Sequence, residues 1–151
     1  MDTNMHSVEF DIHDINELDH ISNALLPHLK GPMIIGLSGD MGTGKTTFVR
    51  SICHALNSPD WVNSPTYAIM QKYSSQAFEI LHIDLYRLKN DADIDLLDIH
   101  SQITTGTIAF VEWINKTTMI TPDLDIHFTR LGETRRKIVM SSNKEWVLAI
   151  K

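Results

Sequence analysis

The sequence predicts an α/β fold in which helices cover both faces of a mixed sheet, with parallel and antiparallel strands. Two short apolar runs, 32–37 and 107–111, have the length and composition of fully buried strands. Two further strand-like segments, 66–73 and 78–86, are separated by the polar residues 74–76, which is typical of an antiparallel hairpin. Because buried strands and a hairpin occur in one chain, we expect a mixed sheet whose apolar faces are covered by helices.

Three helices are predicted, one before the first of these strands and two between them. Asp14 is a candidate N-cap for a helix that carries its apolar residues at helical spacing and is closed by Pro27. A second helix is expected from Lys45 to about Leu56, directly after the first buried strand. A polar helix is predicted over residues 91–102.

The remaining strands are predicted towards the two ends of the chain. Apolar and polar residues alternate over 8–12, which indicates a half-buried first strand. Strands are also expected at 124–129, 136–140 and 146–150. No repeat or linker-like segment interrupts these elements, so we expect residues 1–151 to form a single domain.

Composition restricts the class of function. The chain is 42% hydrophobic and 21% charged, as in ordinary globular proteins, and its apolar runs are too short to cross a bilayer. The net charge of −6 argues against a protein that binds nucleic acid by itself, because neutralisation of phosphates dominates such binding. Cys53 is the single cysteine, which excludes an internal disulfide and fits a reducing compartment. We interpret it as a buried side chain on a helix and expect a cytoplasmic protein.

A phosphate-binding loop follows the first buried strand. Residues 39–46 match the P-loop pattern G-x-x-x-x-G-K-[ST] at every fixed position. Glycines let backbone amides approach phosphate oxygens closely, and the helix that follows points its positive end at the same anion. Lys45 is expected to reach the β- and γ-phosphates, and the Thr46 hydroxyl to ligate magnesium. The predicted nucleotide-binding residues of this segment are Asp40, Met41, Gly42, Thr43, Gly44, Lys45, Thr46 and Thr47.

These features make the predicted fold P-loop NTPase-like, with ATP or ADP and Mg²⁺ as the expected cofactors. Enzymes of this class place an acidic residue at the end of a neighbouring buried strand, where it holds magnesium directly or through water. Glu112 directly follows the apolar run 107–111, at the sheet edge where ligands of open α/β sheets bind. Glu112 is therefore the candidate metal-side carboxylate.

Two further candidates leave alternatives open. His82, Asp84 and Tyr86 share one face of a predicted strand. Asp84 could orient the attacking water, form a metal pair with His82, or make a structural hydrogen bond. Thr66 follows the P-loop helix and either senses the γ-phosphate, as a switch residue would, or belongs to a turn that leads into a strand.

Several segments, in this order, together resemble one family. Residues 39–48 carry the phosphate loop, 64–67 read Ser-Pro-Thr-Tyr, 82–88 read His-Ile-Asp-Leu-Tyr-Arg-Leu, and 112–113 read Glu-Trp. Their order and spacing resemble the TsaE family, the ATPase subunit of bacterial tRNA threonylcarbamoyladenosine biosynthesis, along roughly 14–150. The loop alone is shared by very many proteins, whereas the two later segments are much more specific.

The resemblance implies an accessory subunit that hydrolyses ATP to reset the TsaD–TsaB pair, and that meets tRNA only indirectly through this complex. It implies Lys45, Asp84 and Glu112 as catalytic residues, with Trp113 and Arg136 near the nucleotide. Two function classes remain as alternatives: a small-molecule kinase, and a nucleotide-gated interaction module with negligible hydrolysis.

Overall fold

One seven-stranded sheet forms the frame of the chain over the residues that the computed structural model describes, 4–63 and 69–150. Its strands are β1 His6–Ile12, β2 Met33–Ser38, β3 Met70–Ser74, β4 Glu79–Asp84, β5 Thr107–Glu112, β6 Leu124–Arg130 and β7 Arg136–Ser142. The α-helices are α1 Leu18–Leu25, α2 Lys45–Ala55, α3 Asp91–Asp95 and α4 Ile99–Gln102. Short 3₁₀ helices occupy Ile15–Glu17, Leu26–His28, Ile114–Lys116 and Glu145–Ala149.

The sheet is mixed, which confirms the predicted fold class. Its strand order is β1-β7-β6-β2-β5-β4-β3. β2 runs parallel to both of its neighbours, β5 and β6, and β4 runs parallel to β5. The pairs β3–β4, β6–β7 and β1–β7 are antiparallel. The carboxyl ends of β2, β4 and β5 therefore meet at one edge of the sheet.

Helices cover both faces of this sheet. On one face, α1 and α2 bury their apolar side chains, and the ring of Phe48 in α2 lies edge-on to Phe110 and Phe128, at centroid distances of 6.4 and 6.0 Å. On the other face, Ile94 of α3 and Ile99 of α4 join a separate buried cluster with side chains of β4 and β5. Within the described part of the chain, no helix combines the length and apolarity needed to span a bilayer.

Two predicted elements are wrong. The helix expected over 91–102 is two short helices, α3 and α4, because Asp98 between them adopts a left-handed backbone conformation with φ of 50°. The strand expected at 146–150 is a 3₁₀ helix. Val147 in this helix and Ile150 directly after it are both buried and three residues apart, which is the spacing of a helical turn and not of a strand.

Other predicted boundaries shift. Asp14 does cap a helical segment, but its carboxylate accepts a hydrogen bond from the backbone of Asn16 at 2.8 Å in the 3₁₀ turn that leads into α1. The predicted strand 78–86 ends at Asp84, so Tyr86 lies in the following turn and not on the strand. Residues 66–68 of the predicted strand 66–73 lie outside the described residues.

We predict that the contact of α2 with the sheet is a main source of stability. Phe48 is fully buried, so Phe48→Ala should lower the free energy of unfolding by about 3–5 kcal/mol through lost transfer energy and the remaining cavity. Urea unfolding measures this change. Leu96→Ala is the control, because Leu96 is 84% exposed and should change stability by no more than about 0.5 kcal/mol. Equal losses in both variants would contradict the assignment of Phe48 to the core.

Candidate functional site

The phosphate loop lies between β2 and α2, and three of its glycines, Gly39, Gly42 and Gly44, have a positive φ. Gly39 and Gly42 have φ of 133° and 77°. A Cβ added to Gly39 would meet the carbonyl oxygen of Phe128, whereas Gly42 has open space around it. The loop thus packs tightly against β6 at its start and is open at its tip, where Met41 is 63% exposed. Because α2 begins at Lys45, its free amides and the positive end of its dipole face the space enclosed by the loop.

Lys45 points into this loop. Its Nζ donates hydrogen bonds to the backbone carbonyls of Gly39 and Asp40, at 2.5 and 2.8 Å, and lies 4.7 Å from the centre of the Trp113 ring. Burial lowers the pKa of Lys45, and the nearby carboxylates, with Glu112 first, oppose that shift. The structure therefore places a partly desolvated cation at the position where the sequence predicts a phosphate contact.

The predicted metal pair is brought together. Thr46 lies in the first turn of α2 and Glu112 at the end of β5, and the Thr46 hydroxyl donates to Glu112 Oε2 at 2.9 Å. Glu112 is only 4% exposed. Two adjacent oxygen ligands beside a phosphate loop match Mg²⁺, which takes one or two carboxylates together with phosphates and water.

His82 occupies a place that sequence reasoning did not find. Its imidazole Nε2 lies 2.6 Å from Glu112 Oε2, and the side chain is fully buried. Sequence reasoning considered it only as a metal partner of Asp84. Among the described residues, no three His, Cys, Asp or Glu side chains converge as a metal cluster. The sequence places His82 and Asp84 on one face of a strand, but the contact with Glu112 depends on the pairing of β4 with β5, which the sequence does not show.

Asp84 is next to Glu112 across the sheet, because β4 and β5 pair these two residues. It is 3% exposed, and its carboxylate accepts a hydrogen bond from the backbone of Tyr86 at 2.9 Å. This bond gives Asp84 a structural role in the turn after β4. The orientation of water by Asp84 stays a prediction.

Aromatic residues form one wall of the site. The rings of Trp113 and Tyr86 lie 5.0 Å apart, and Trp113 has a left-handed backbone with φ of 60°. Lys116 donates to the backbone carbonyls of Tyr86 and Leu88 at 2.6 and 2.9 Å, which fixes the turn after β4. Trp113 also faces the ammonium of Lys45. Its place near the nucleotide stays a prediction.

A cavity of about 160 Å³ joins these groups. It is lined by Met41, Gly42, Lys45, Thr46, Asp84, Tyr86, Glu112 and Trp113. A larger cavity of about 460 Å³ lies between α1, α2 and the segment 58–62, and Thr47 lines that one. The smaller cavity is the candidate site, because it collects the phosphate-loop lysine, the hydroxyl and the two carboxylates.

The other predicted binding residues have different surroundings. Arg136 is 8% exposed, and its guanidinium donates to the carbonyl of Gly42 at 3.4 Å and to that of Gly132 at 3.2 Å, so it supports the loop from behind. Thr43 is buried, and its hydroxyl donates to the carbonyl of Asp40 at 2.7 Å. Thr66 lies outside the described residues.

Comparison with known proteins agrees with this geometry. The family profile described as Threonylcarbamoyl adenosine biosynthesis protein TsaE matches residues 12–138. The chain belongs to the TsaE family. The matched range contains the phosphate loop, the His82–Asp84 strand and Glu112.

Curated relatives of this family member carry the name tRNA threonylcarbamoyladenosine biosynthesis protein TsaE. The protein from Aquifex aeolicus is 36% identical over 112 residues, which are 73% of this chain and 77% of the relative. The protein from Rickettsia felis is 32% identical over 130 residues, 84% of this chain and 75% of the relative. The Haemophilus influenzae protein is 33% identical over 99 residues, and the match spans 66% of this chain and 63% of that relative.

The fold also matches a solved structure. The crystal structure of Bacillus subtilis YdiB superposes with a TM-score of 0.77, at 22% identity, covering 99% of this chain and 94% of that one. At this level of identity the likeness establishes the fold. Since the structure pairs nearly the whole of both chains, the mixed sheet with helices on both faces is shared between them.

We predict that replacing glycine by alanine lowers the free energy of unfolding less at Gly42 than at Gly39. Gly42→Ala meets no neighbour, so it should lose about 1–2 kcal/mol from the left-handed backbone alone. Gly39→Ala should lose more, because its φ of 133° is nearly restricted to glycine and the new Cβ also meets the carbonyl of Phe128. Urea unfolding of both variants tests the difference. Equal losses would mean that Gly39 does not pack against β6 as described.

Proposed function

We propose that this TsaE family member is the ATP-binding and ATP-hydrolysing accessory subunit of the machinery that makes threonylcarbamoyladenosine in tRNA. We further propose that residues 1–151 form one domain, that it acts in the cytoplasm with TsaD and TsaB, and that it meets tRNA only through them. The observation that carries the ATPase proposal is the contact of Thr46 with Glu112 beside Lys45, inside a complete phosphate loop.

Lys45 and the loop would hold the phosphate tail. The loop amides and the amino end of α2 bind phosphate oxygens, and Lys45 exchanges its bonds to the carbonyls of Gly39 and Asp40 for bonds to the β- and γ-phosphates. A cavity of about 160 Å³ suits the polyphosphate and not the whole nucleotide. The nucleoside therefore lies outside this cavity.

Thr46 and Glu112 would hold Mg²⁺. A bound magnesium ion would neutralise charge that develops on the phosphate oxygens during transfer. The chain would supply one hydroxyl and one carboxylate oxygen from adjacent positions, and phosphate and water would supply the remaining ligands. Asp84 lines the same cavity and is proposed to hold the attacking water.

The rim of the cavity supports a role for a partner in turnover. Met41 and Tyr86 line the cavity and are 63% and 42% exposed, so the site is open to solvent on that side. Phosphoryl transfer gains its rate from positioning and from stabilisation of charge, both of which a protein that covers this rim would improve.

Substitution at the site tests the catalytic assignment. Lys45→Ala and Glu112→Gln should each reduce ATP turnover in the reconstituted TsaD–TsaB complex by about 100-fold or more, because each removes charge or ligation at the phosphates. Release of inorganic phosphate is the measurement. Lys30→Ala and Glu9→Gln are matched controls at exposed positions away from the cavity and should keep full turnover. Unchanged turnover in Glu112→Gln would contradict its assignment to the metal.

The role of the partners is tested separately. We expect the isolated chain to bind ATP and hydrolyse it slowly, and turnover to rise when TsaD and TsaB are added. Equal rates with and without the partners would contradict partner activation, and binding without hydrolysis in either case would favour a nucleotide-gated interaction module. Phosphate transferred to a metabolite and not to water would favour a kinase.

A further inference from the structure

The side chain of His82 is buried beneath the proposed metal site and contacts its carboxylate. It is 0% exposed and does not line the cavity that collects Lys45, Thr46 and Glu112. Its Nε2 lies 2.6 Å from Glu112 Oε2. Since a carboxylate oxygen accepts, the imidazole Nε2–H is the donor. The polar contact of His82 with the lining of the cavity is therefore its bond to Glu112.

Among the described residues, two side chains donate hydrogen bonds to the Glu112 carboxylate, and both bonds end on the same oxygen. His82 Nε2 and Thr46 Oγ1 donate to Oε2, at 2.6 and 2.9 Å, from opposite elements, the strand β4 and the helix α2. Two donors on one oxygen fix the rotation of the carboxylate group about its terminal bond. They also keep the carboxylate beside the Thr46 hydroxyl, which is the second proposed oxygen ligand.

The bond from Nε2 to Glu112 is the main polar contact of the His82 side chain, because the other ring nitrogen has no partner in the part of the chain that the structure describes. Nδ1 is buried and has no hydrogen-bond partner among the described residues. The nearest aromatic ring contact is with Tyr73, at a centroid distance of 6.1 Å. A leucine or phenylalanine would satisfy this apolar setting better, because a buried polar atom without a partner costs free energy. The bond to Glu112 is what the histidine adds.

We propose that His82 is a positioning residue for magnesium. By fixing the carboxylate of Glu112 next to Thr46, it sets the affinity of the site for the magnesium complex of the nucleotide and leaves the affinity for the metal-free nucleotide unchanged. Residues that hold a ligating side chain from behind commonly change metal affinity by about 10–100-fold when they are replaced. This inference rests on the proposed nucleotide and magnesium site.

Equilibrium binding without hydrolysis tests the proposal. The affinity of the chain for a fluorescent, non-hydrolysable ATP analogue is measured with Mg²⁺ and, separately, with EDTA. His82→Phe retains a ring but has no donor, and should weaken binding about 10-fold or more with Mg²⁺ only. His82→Gln is the matched variant, because its amide nitrogen can reach Glu112, and it should restore most of the magnesium dependence. Should His82→Phe not fold, as judged by circular dichroism, His82→Asn replaces it, because its shorter amide falls short of the carboxylate.

A double substitution shows whether His82 acts through Glu112. In a Glu112→Ala chain, adding His82→Phe should cause no further loss of magnesium-dependent affinity. A further loss, or equal weakening of binding with Mg²⁺ and with EDTA in the single variant, would overturn the proposal in favour of a general structural role. If the unaltered chain binds the analogue equally with and without Mg²⁺, the proposed magnesium site fails. If the unaltered chain depends on Mg²⁺ and His82→Phe depends on it equally, only the role of His82 fails.

Discussion

The parallel pairing of β2 with β5 is the constraint on which the site depends. It sets Leu37 opposite Glu112, and Trp113 continues the ladder by donating its backbone N–H to Leu37 at 2.9 Å. Because β2 runs straight into the phosphate loop, this register fixes the distance between the loop and the end of β5. A slip of one residue would turn the Glu112 side chain to the opposite face of the sheet and separate it from Thr46. The fully buried β5 makes such a slip costly, since every one of its side chains would change its neighbours.

A polar cluster lies at the end of this otherwise apolar frame, and most of its groups are paired. The ammonium of Lys45 is held by two carbonyls and the face of an indole ring, while Glu112 accepts from a hydroxyl and an imidazole. Buried polar groups cost little when they are paired and a great deal when they are not. The lowered pKa of Lys45 shows that its burial is only partly compensated by the carboxylates around it. An anionic ligand would complete that compensation, so the same desolvation that lowers the pKa of Lys45 strengthens its attraction to phosphate.

Sequence patterns predicted the parts of the fold that depend on local periodicity, and missed those that depend on tertiary contacts. The buried strands and the loop before α2 follow from apolar runs and glycine spacing, both of which are local. The segment 146–150 is apolar enough for a strand, but it packs as a 3₁₀ helix across β1 and β7, because Val147 and Ile150 must face the core together. The left-handed conformation of Asp98, which divides the predicted helix 91–102, likewise leaves no signal in the sequence of this segment. Within the site, Lys45 and Thr46 were predictable because they belong to the P-loop motif. Glu112 was predictable because it directly follows a buried strand. The contact of His82 with Glu112 was not, because it depends on the pairing of β4 with β5.

The backbone of Trp113 carries strain that only its side chain explains. Its φ of 60° is in the left-handed region, which costs a bulky residue about 1–2 kcal/mol and glycine almost nothing. The conformation turns the chain sharply after Glu112, and the backbone bonds to Leu37 and from Lys116, at 2.9 and 3.0 Å, hold the turn in place. A glycine would make the same turn without strain, but it would leave the ammonium of Lys45 without the ring that lies 4.7 Å away. A desolvated cation over an indole gains about 2 kcal/mol or more, which is enough to offset the strain. The turn that ends β5 therefore positions the Glu112 carboxylate on one side and the aromatic wall on the other. The contact of the Trp113 ring with Lys45 offsets the backbone strain at this position.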